Sequence, residues 1–220
     1  MTKALLGLQE GWGFRVGIWN VDSLTGRAGE LVAVLADRKV DVACIQETKW
    51  KDSGYRLFGA RGKRYKLFWM GGKEKSDGVG IFVAEKWVDS VVSVKRSSEW
   101  VMILKLVVDN GLLNVLTVYV PHAGKLEEEE EKLWNALFHL LSYIPRDEMV
   151  VIAGDMNGHV GSSNVGYNGI HGGFGYGARN ANGFRILELA DGLNLVIWMS
   201  QSVNDKSSLK GAWSRSRDTL

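Results

Sequence analysis

Four short stretches of this chain place a polar side chain directly after an apolar run: Trp19-Asn20, Ile45-Gln46-Glu47-Thr48-Lys49, Tyr119-Val120-Pro121 and Gly154-Asp155-Met156-Asn157. A carboxylate at the end of a buried strand, such as Glu47, suits a hard cation; taken alone it also reads as an ordinary surface Glu. Asn20 offers an amide to the same site, or forms a turn. Tyr119 offers a phenol to an oxyanion, or packs. Asp155 can orient a water or a nucleophile and Asn157 can hold a phosphoryl oxygen; an Asx turn after a strand accounts for the same two residues. His122, His159 and His171 are candidate bases, each in a Gly-rich or turn segment where structural or solvated histidines are common.

The elements that position these residues follow from periodicity. Phe14, Val16 and Ile18 alternate with other residues and predict a strand ending near Asn20. Ala28, Leu31, Val32 and Leu35 fall at i, i+3, i+4 and i+7, one helix face within 27–39. Residues 40–45 form a buried strand, completing a strand–helix–strand unit. The middle of the chain reads as antiparallel strands at 65–70, 78–84, 90–95, 100–108 and 112–120, with Asp109-Asn110-Gly111 as a hairpin turn. A helix over 126–144 buries Leu133, Leu137, Leu140, Leu141 and Ile144. A strand follows at 149–153, then a Gly-rich loop at 154–177 too long for a plain connection. A helix at 182–192 and a strand at 193–198 complete the pattern. Residues 1–12 read as a loose arm, 13–200 as one α/β domain, and 201–220 as an unpatterned tail.

Composition sets the limits. The chain has 220 residues, 27 glycines, two prolines and one cysteine, Cys44. One cysteine excludes an intrachain disulfide and a Cys-based zinc site. No window reaches the ~20 apolar residues of a membrane helix, so no membrane partner is expected. A monomer in a reducing, intracellular compartment is the expectation. The net charge is only +2, but residues 49–75 hold nine basic and two acidic side chains, leaving −5 for the rest. Aromatic residues interleave with these cations, as in surfaces where bases stack and cations hold phosphate. Lys49, Lys51, Arg64, Lys73 and Lys75 are the candidate DNA contacts. A solvated loop and an edge strand with snorkelling lysines is the alternative.

The order of the four strand-end motifs resembles the endonuclease/exonuclease/phosphatase superfamily, the DNase I-like proteins. Gly26-Arg27, residues 78–81, Gly158-His159-Val160-Gly161 and the glycine-rich run at 171–177 resemble more closely the endonuclease domains of non-long-terminal-repeat retrotransposons and the craniofacial development protein 2-like proteins derived from them. The resemblance implies a four-layer α/β/β/α sandwich and metal-dependent hydrolysis of a DNA phosphodiester, with nuclear action. It assigns Mg²⁺ (or Mn²⁺) to Glu47 with Asn20, the scissile phosphate to Tyr119, water activation to Asp155, and a phosphate oxygen to Asn157.

The sequence departs from that family near its end. The family's Ile-Asp-Tyr and Ser-Asp-His elements have no match, no His follows His171, and Arg217-Asp218-Thr219 lacks apolar neighbours. These departures imply a C-terminally truncated fold and impaired catalysis. A non-catalytic nucleic-acid- or protein-binding remnant is the alternative. Another superfamily chemistry, such as hydrolysis of a soluble phosphate ester, is a third reading, which the Gly-rich loop argues against.

Overall fold

The computed structural model describes residues 14–109, 111–121, 127–173, 175, 177–199 and 210–215. Two sheets carry the chain. The first has five strands: β1 (Val16–Asn20), β2 (Val42–Gln46), β3 (Ser53–Ala60), β4 (Lys63–Met70) and β5 (Val79–Ala84). Their spatial order is β1-β2-β5-β4-β3. The second has six: β6 (Val91–Ser98), β7 (Val101–Val108), β8 (Gly111–Tyr119), β9 (Met149–Asp155), β10 (Val196–Met199) and β11 (Lys210–Arg215). They are ordered β10-β11-β9-β8-β7-β6. The helices are α1 (Ala28–Asp37), α2 (Glu127–Ser142) and α3 (Ala181–Gly192).

Side-chain alternation stacks these elements into the expected α/β/β/α layers. In β2, Val42 and Cys44 enter the core between the sheets, where they join Ile81, Leu104, Val115 and Val151. Ala43 and Ile45, on the opposite face, pack with Leu31, Val32 and Leu35 of α1. Both faces of β2 are buried, which is why it reads as one continuous apolar run. On the far side, Leu133, Leu137 and Leu141 of α2 and Ile186, Leu187 and Ala190 of α3 cover Leu116, Val118 and Ile152.

Two segments differ from the sequence reading. β3 was not expected: glycines and arginines obscure its alternation, and as the sheet edge it has only one partner, β4. Lys210–Arg215, expected in an unpatterned tail, is a strand between β9 and β10, antiparallel to both. Backbone pairing on both sides sustains it where side-chain periodicity gives no signal. The expected arm at 1–12, His122 and Asp218 lie outside the described residues. No described helix is long and apolar enough to cross a membrane.

The parallel pairs fix the site. β1 pairs β2 with Asn20 opposite Gln46, and β8 pairs β9 with Tyr119 opposite Asp155. All four strands therefore end at one edge of the sandwich. A buried bond from Gln46 Nε2 to Thr117 Oγ1 (3.1 Å) joins the two sheets near that edge.

The opposite edge has its own polar anchors. Buried Asp41 accepts from the Arg15 amide (2.7 Å) and from Trp87 Nε1 (2.9 Å), and pairs with Lys86 (2.6 Å). Glu148 accepts from Lys105 Nζ (2.9 Å) and Asn114 Nδ2 (2.7 Å), joining β7, β8 and the start of β9. Burial disfavours the Glu148 charge, but the bonds from Lys105 and Asn114 and the Lys105 charge outweigh it and hold the carboxyl below its ordinary value of 4.5. A carboxyl depressed in the fold stabilises above its unfolded pKa and loses that contribution as pH falls through the folded value. Urea midpoints of the native protein and Glu148→Gln should thus differ near neutrality and converge as pH drops below about 4.5.

Candidate active site at the strand ends

Asn20 is the residue on which the strand ends converge. Its Nδ2 donates to Glu47 Oε1 (2.5 Å) and across the sheet–sheet boundary to Asp155 Oδ2 (3.1 Å). Its Oδ1 accepts from the Asp22 amide (3.1 Å), which fixes the orientation of the side-chain amide. Two carboxylates from different sheets thus share one donor group.

The chain turns sharply just after the strands. Asp22, Glu47, Lys49 and Asn157 are non-glycine residues in the left-handed region, with φ of 58°, 57°, 53° and 47°. Such conformations are costly and persist where surrounding structure imposes them; they concentrate at functional sites. Around the first three, backbone bonds impose them: Val21 N to Gln46 O, Leu24 N to Thr48 O, Thr48 N to Gly78 O, and Lys49 N to Asp77 O, all 2.8–3.0 Å.

Tyr119 closes the site from the second sheet. Its amide donates to Trp100 O and the Val120 amide to Asp155 O. Burial first, then the negative Glu47, Asp77 and Asp155 and the hydrogen bond to Glu47, push the phenol well above its ordinary range. Tyr119 is therefore protonated at neutral pH and serves as a donor. Asn157 Nδ2 donates to Val120 O (2.5 Å), tying together the chain beyond β8 and β9, while its Oδ1 is buried without a hydrogen-bond partner among the described residues. Of its two amide hydrogens, one remains for a ligand.

The Gly-rich loop is built onto α3. Asn180 caps that helix, its Oδ1 accepting from Gly183 N (2.8 Å) and from His159 N (2.9 Å). A Cβ on Gly183 would stand 1.8 Å from His159 O, so only glycine allows this approach. Arg179 donates to Val160 O (3.0 Å) and Ser163 O (2.8 Å) and lies over Tyr167 and Phe184. His159 is engaged through its backbone. His171 is buried, its Nδ1 accepting from Gly173 N (3.2 Å). Burial and the Arg179 charge lower its pKa, keeping the ring neutral.

The structure thus brings together Asn20, Glu47, Tyr119, Asp155 and Asn157. It adds three residues that sequence reasoning missed. Asp22 pairs with Lys49 (2.6 Å), which raises the Lys49 pKa and lowers that of Asp22. Buried Asp77 accepts from Trp100 Nε1 (3.2 Å) and receives the Lys49 amide on its carbonyl. Asp22 was within reach of sequence reasoning, two residues after Asn20; Asp77 and Trp100 carry no local signal, since only packing of the β4–β5 connection on the start of β7 unites them.

The cations divide. Lys49, Lys51, Lys73 and Lys75 flank the strand ends that carry the site. Arg64 lies towards the opposite edge, before Tyr65, which pairs with Ala84, and it forms an ion pair with Glu85. It is not brought to the site.

Among the described residues no group of three or more His, Cys, Asp or Glu side chains gathers to hold a metal. Glu47 and Asp155 nevertheless bond to one amide nitrogen, and Lys49 is engaged by Asp22 and lies 3.9 Å from Glu47 Oε2. Few protein oxygens, with the remaining positions left to water and phosphate, fit Mg²⁺ rather than a closed structural site.

The fold is shared with known proteins. The model of the Endonuclease/Exonuclease/phosphatase family matches residues 17–203. Craniofacial development protein 2 of Tragulus javanicus is 27% identical over 184 residues, 83% of this chain and 31% of that protein; the chain spans about a third of this curated relative. Among solved structures, the 3'-5' exonuclease NExo of Neisseria meningitidis superposes with a TM-score of 0.61 at 17% identity, covering 90% of this chain and 86% of that one. The endonuclease domain of TRAS1, a telomere-specific non-LTR retrotransposon, gives 0.60 at 13% identity, covering 91% and 83%.

Because Asn180 holds both α3 and the loop, Asn180→Ala should lower stability by about 1 kcal/mol in urea titration. It should also speed hydrogen exchange at the His159 amide, whose acceptor is lost.

Proposed function

The chain belongs to the endonuclease/exonuclease/phosphatase family, and from that premise we propose that it is a metal-dependent phosphodiester hydrolase acting on DNA. The observation that carries the reading is the Asn20 amide shared by Glu47 and Asp155 at the junction of the two sheets. The family match and the fold shared with a retrotransposon endonuclease domain support it.

Glu47, with Asn20 beside it, would hold Mg²⁺ (or Mn²⁺), which when bound supplies charge neutralisation at the phosphoryl oxygens. The chain's own groups do the rest. Asp155 accepts a proton from the attacking water and orients it, in the role of general base. Asn20 keeps that carboxylate in register with Glu47. Tyr119, held protonated, donates to a non-bridging oxygen as charge grows there. Asn157 donates its second amide hydrogen to a phosphate oxygen. Lys49 remains cationic in its pair with Asp22 and offsets charge at the rim.

A second reading, binding of nucleic acid without turnover, draws on a separate observation. Lys51, Lys73 and Lys75 are exposed beside the site and make no ion pair among the described residues. Retention of DNA binding after loss of the carboxylates would fit it.

Two measurements separate these readings. Supercoiled plasmid should be nicked in Mg²⁺, and Asp155→Ala should lower the rate at least about 100-fold; salt-sensitive binding with no nicking favours the second reading. A cation present at about ten times its dissociation constant stabilises by about 1.4 kcal/mol. Added Mg²⁺ should therefore raise the unfolding temperature by about 3–5 °C for the native chain and far less for Glu47→Gln.

A further inference from the structure

The β3–β4 hairpin carries a surface that the hydrolytic machinery does not use. β3 is the outer strand of its sheet. Tyr55 and Leu57 lie opposite Phe68 and Lys66 of β4, so the four side chains share one face. Tyr55 is 67% exposed and Leu57 48%, although both are large and largely apolar. The Lys66 ammonium stands 4.6 Å from the Tyr55 ring centre and 5.3 Å from that of Phe68. The two rings are 6.3 Å apart. On the opposite face Arg56 lies over Phe58. From beneath, Arg96 of β6 fixes the hairpin by donating to Gly54 O (3.0 Å) and Trp69 O (3.1 Å).

Cations on an edge strand discourage pairing with other strands. Arg56 serves that on β3, but Lys66 lies on the inner strand β4, and neither accounts for Tyr55 and Leu57, left side by side in water. Charge points to the occupant. Residues 53–70 contain five cations and no acid. Arg61 and Arg64 are neutralised by Asp37 and Glu85, whereas Lys66 makes no ion pair among the described residues, like Lys51, Lys73 and Lys75 towards the site. Phe68 is buried in the core between the sheets and backs this face, which leaves the Tyr55 ring open. An exposed ring beside a free cation suits a nucleic acid strand whose bases are unpaired. An acidic peptide would meet the charge but has no base to lay on the ring.

We propose that the exposed Tyr55 ring, with Lys66 beside it, is a stacking platform for an unpaired nucleotide of a strand whose phosphates follow Lys51, Lys73 and Lys75. β3 lies three strand positions from β2, about 14 Å in the sheet. The platform gives the chain a preference for DNA with a single-stranded or frayed flank. It rests on the hydrolase reading only in taking nucleic acid as the ligand.

The test is fluorescence anisotropy with the full chain in EDTA, using labelled oligothymidylate and a blunt duplex of equal length. Tyr55→Ala should weaken oligothymidylate binding about five- to hundredfold. Tyr55→Phe should bind as the native chain does, and Arg64→Gln, at the far edge, should change little. The duplex should lose less than about twofold on Tyr55→Ala. Circular dichroism confirms that the variants fold, which the exposure of Tyr55 favours.

The proposal falls if Tyr55→Ala binds oligothymidylate normally, if Tyr55→Phe loses as much as Tyr55→Ala, or if the duplex loses equally. It also falls if polyglutamate displaces the oligonucleotide at matched charge, or if the native chain does not bind oligothymidylate. Plasmid nicking in Mg²⁺ is scored separately. Tyr55-dependent binding without nicking leaves the platform standing and removes the hydrolase reading; nicking with binding indifferent to Tyr55 does the reverse.

Discussion

The site depends on one amide group. Asn20 Nδ2 bonds at once to Glu47 of the first sheet and Asp155 of the second. Two carboxylates brought this close repel, and a donor shared between them offsets that repulsion in the absence of a cation. The arrangement is possible only because β1 and β2, and β8 and β9, are parallel pairs that end level with each other. A one-residue slip of any of these strands in its pairing register would turn its side chains to the opposite face and move the carboxylates apart. The core between the sheets, with Val16, Cys44, Leu104 and Val151 fully buried, prevents that shift.

Backbone bonds add to this rigidity at the strand ends. Asp22, Glu47, Lys49 and Asn157 hold left-handed conformations, each a local cost of about 1–3 kcal/mol. Hydrogen bonds between the turns, such as Leu24 N to Thr48 O and Lys49 N to Asp77 O, keep them in place. The result is a set of functional groups positioned by the body of the fold, which favours transition-state stabilisation because little reorganisation remains when a phosphate arrives. Gly154 belongs to the same logic. A Cβ there would stand 2.0 Å from Val118 O, so glycine lets β8 and β9 approach where Tyr119 and Asp155 must meet.

Charge is sorted by the same architecture. The basic stretch 49–75 is not one patch. Its far-edge members Arg61 and Arg64 are tied to Asp37 and Glu85, while Lys51, Lys73 and Lys75 remain unpaired among the described residues beside an acidic centre. A polyanion approaching that edge meets attraction at the rim and needs a cation at the middle, a pattern that steers a phosphate backbone towards the carboxylates.

The sequence alone determined the helices, the buried strands and the residues at their ends. Leu31, Val32 and Leu35 share a helical face because an α-helix repeats every 3.6 residues, and Glu47 and Asp155 follow apolar runs because the body of a buried strand excludes charge, which is left to its end. These are local rules, and residues near in sequence obey them. β3 and β11 escaped notice because their strand character comes from pairing with distant backbone. Asp77 and Trp100 escaped because nothing near either residue marks it. Only the tertiary structure decided that Arg64 lies at the wrong edge and that Asn20 reaches Asp155, 135 residues later. Sheet order and register set those distances, and they are fixed by packing the whole core at once.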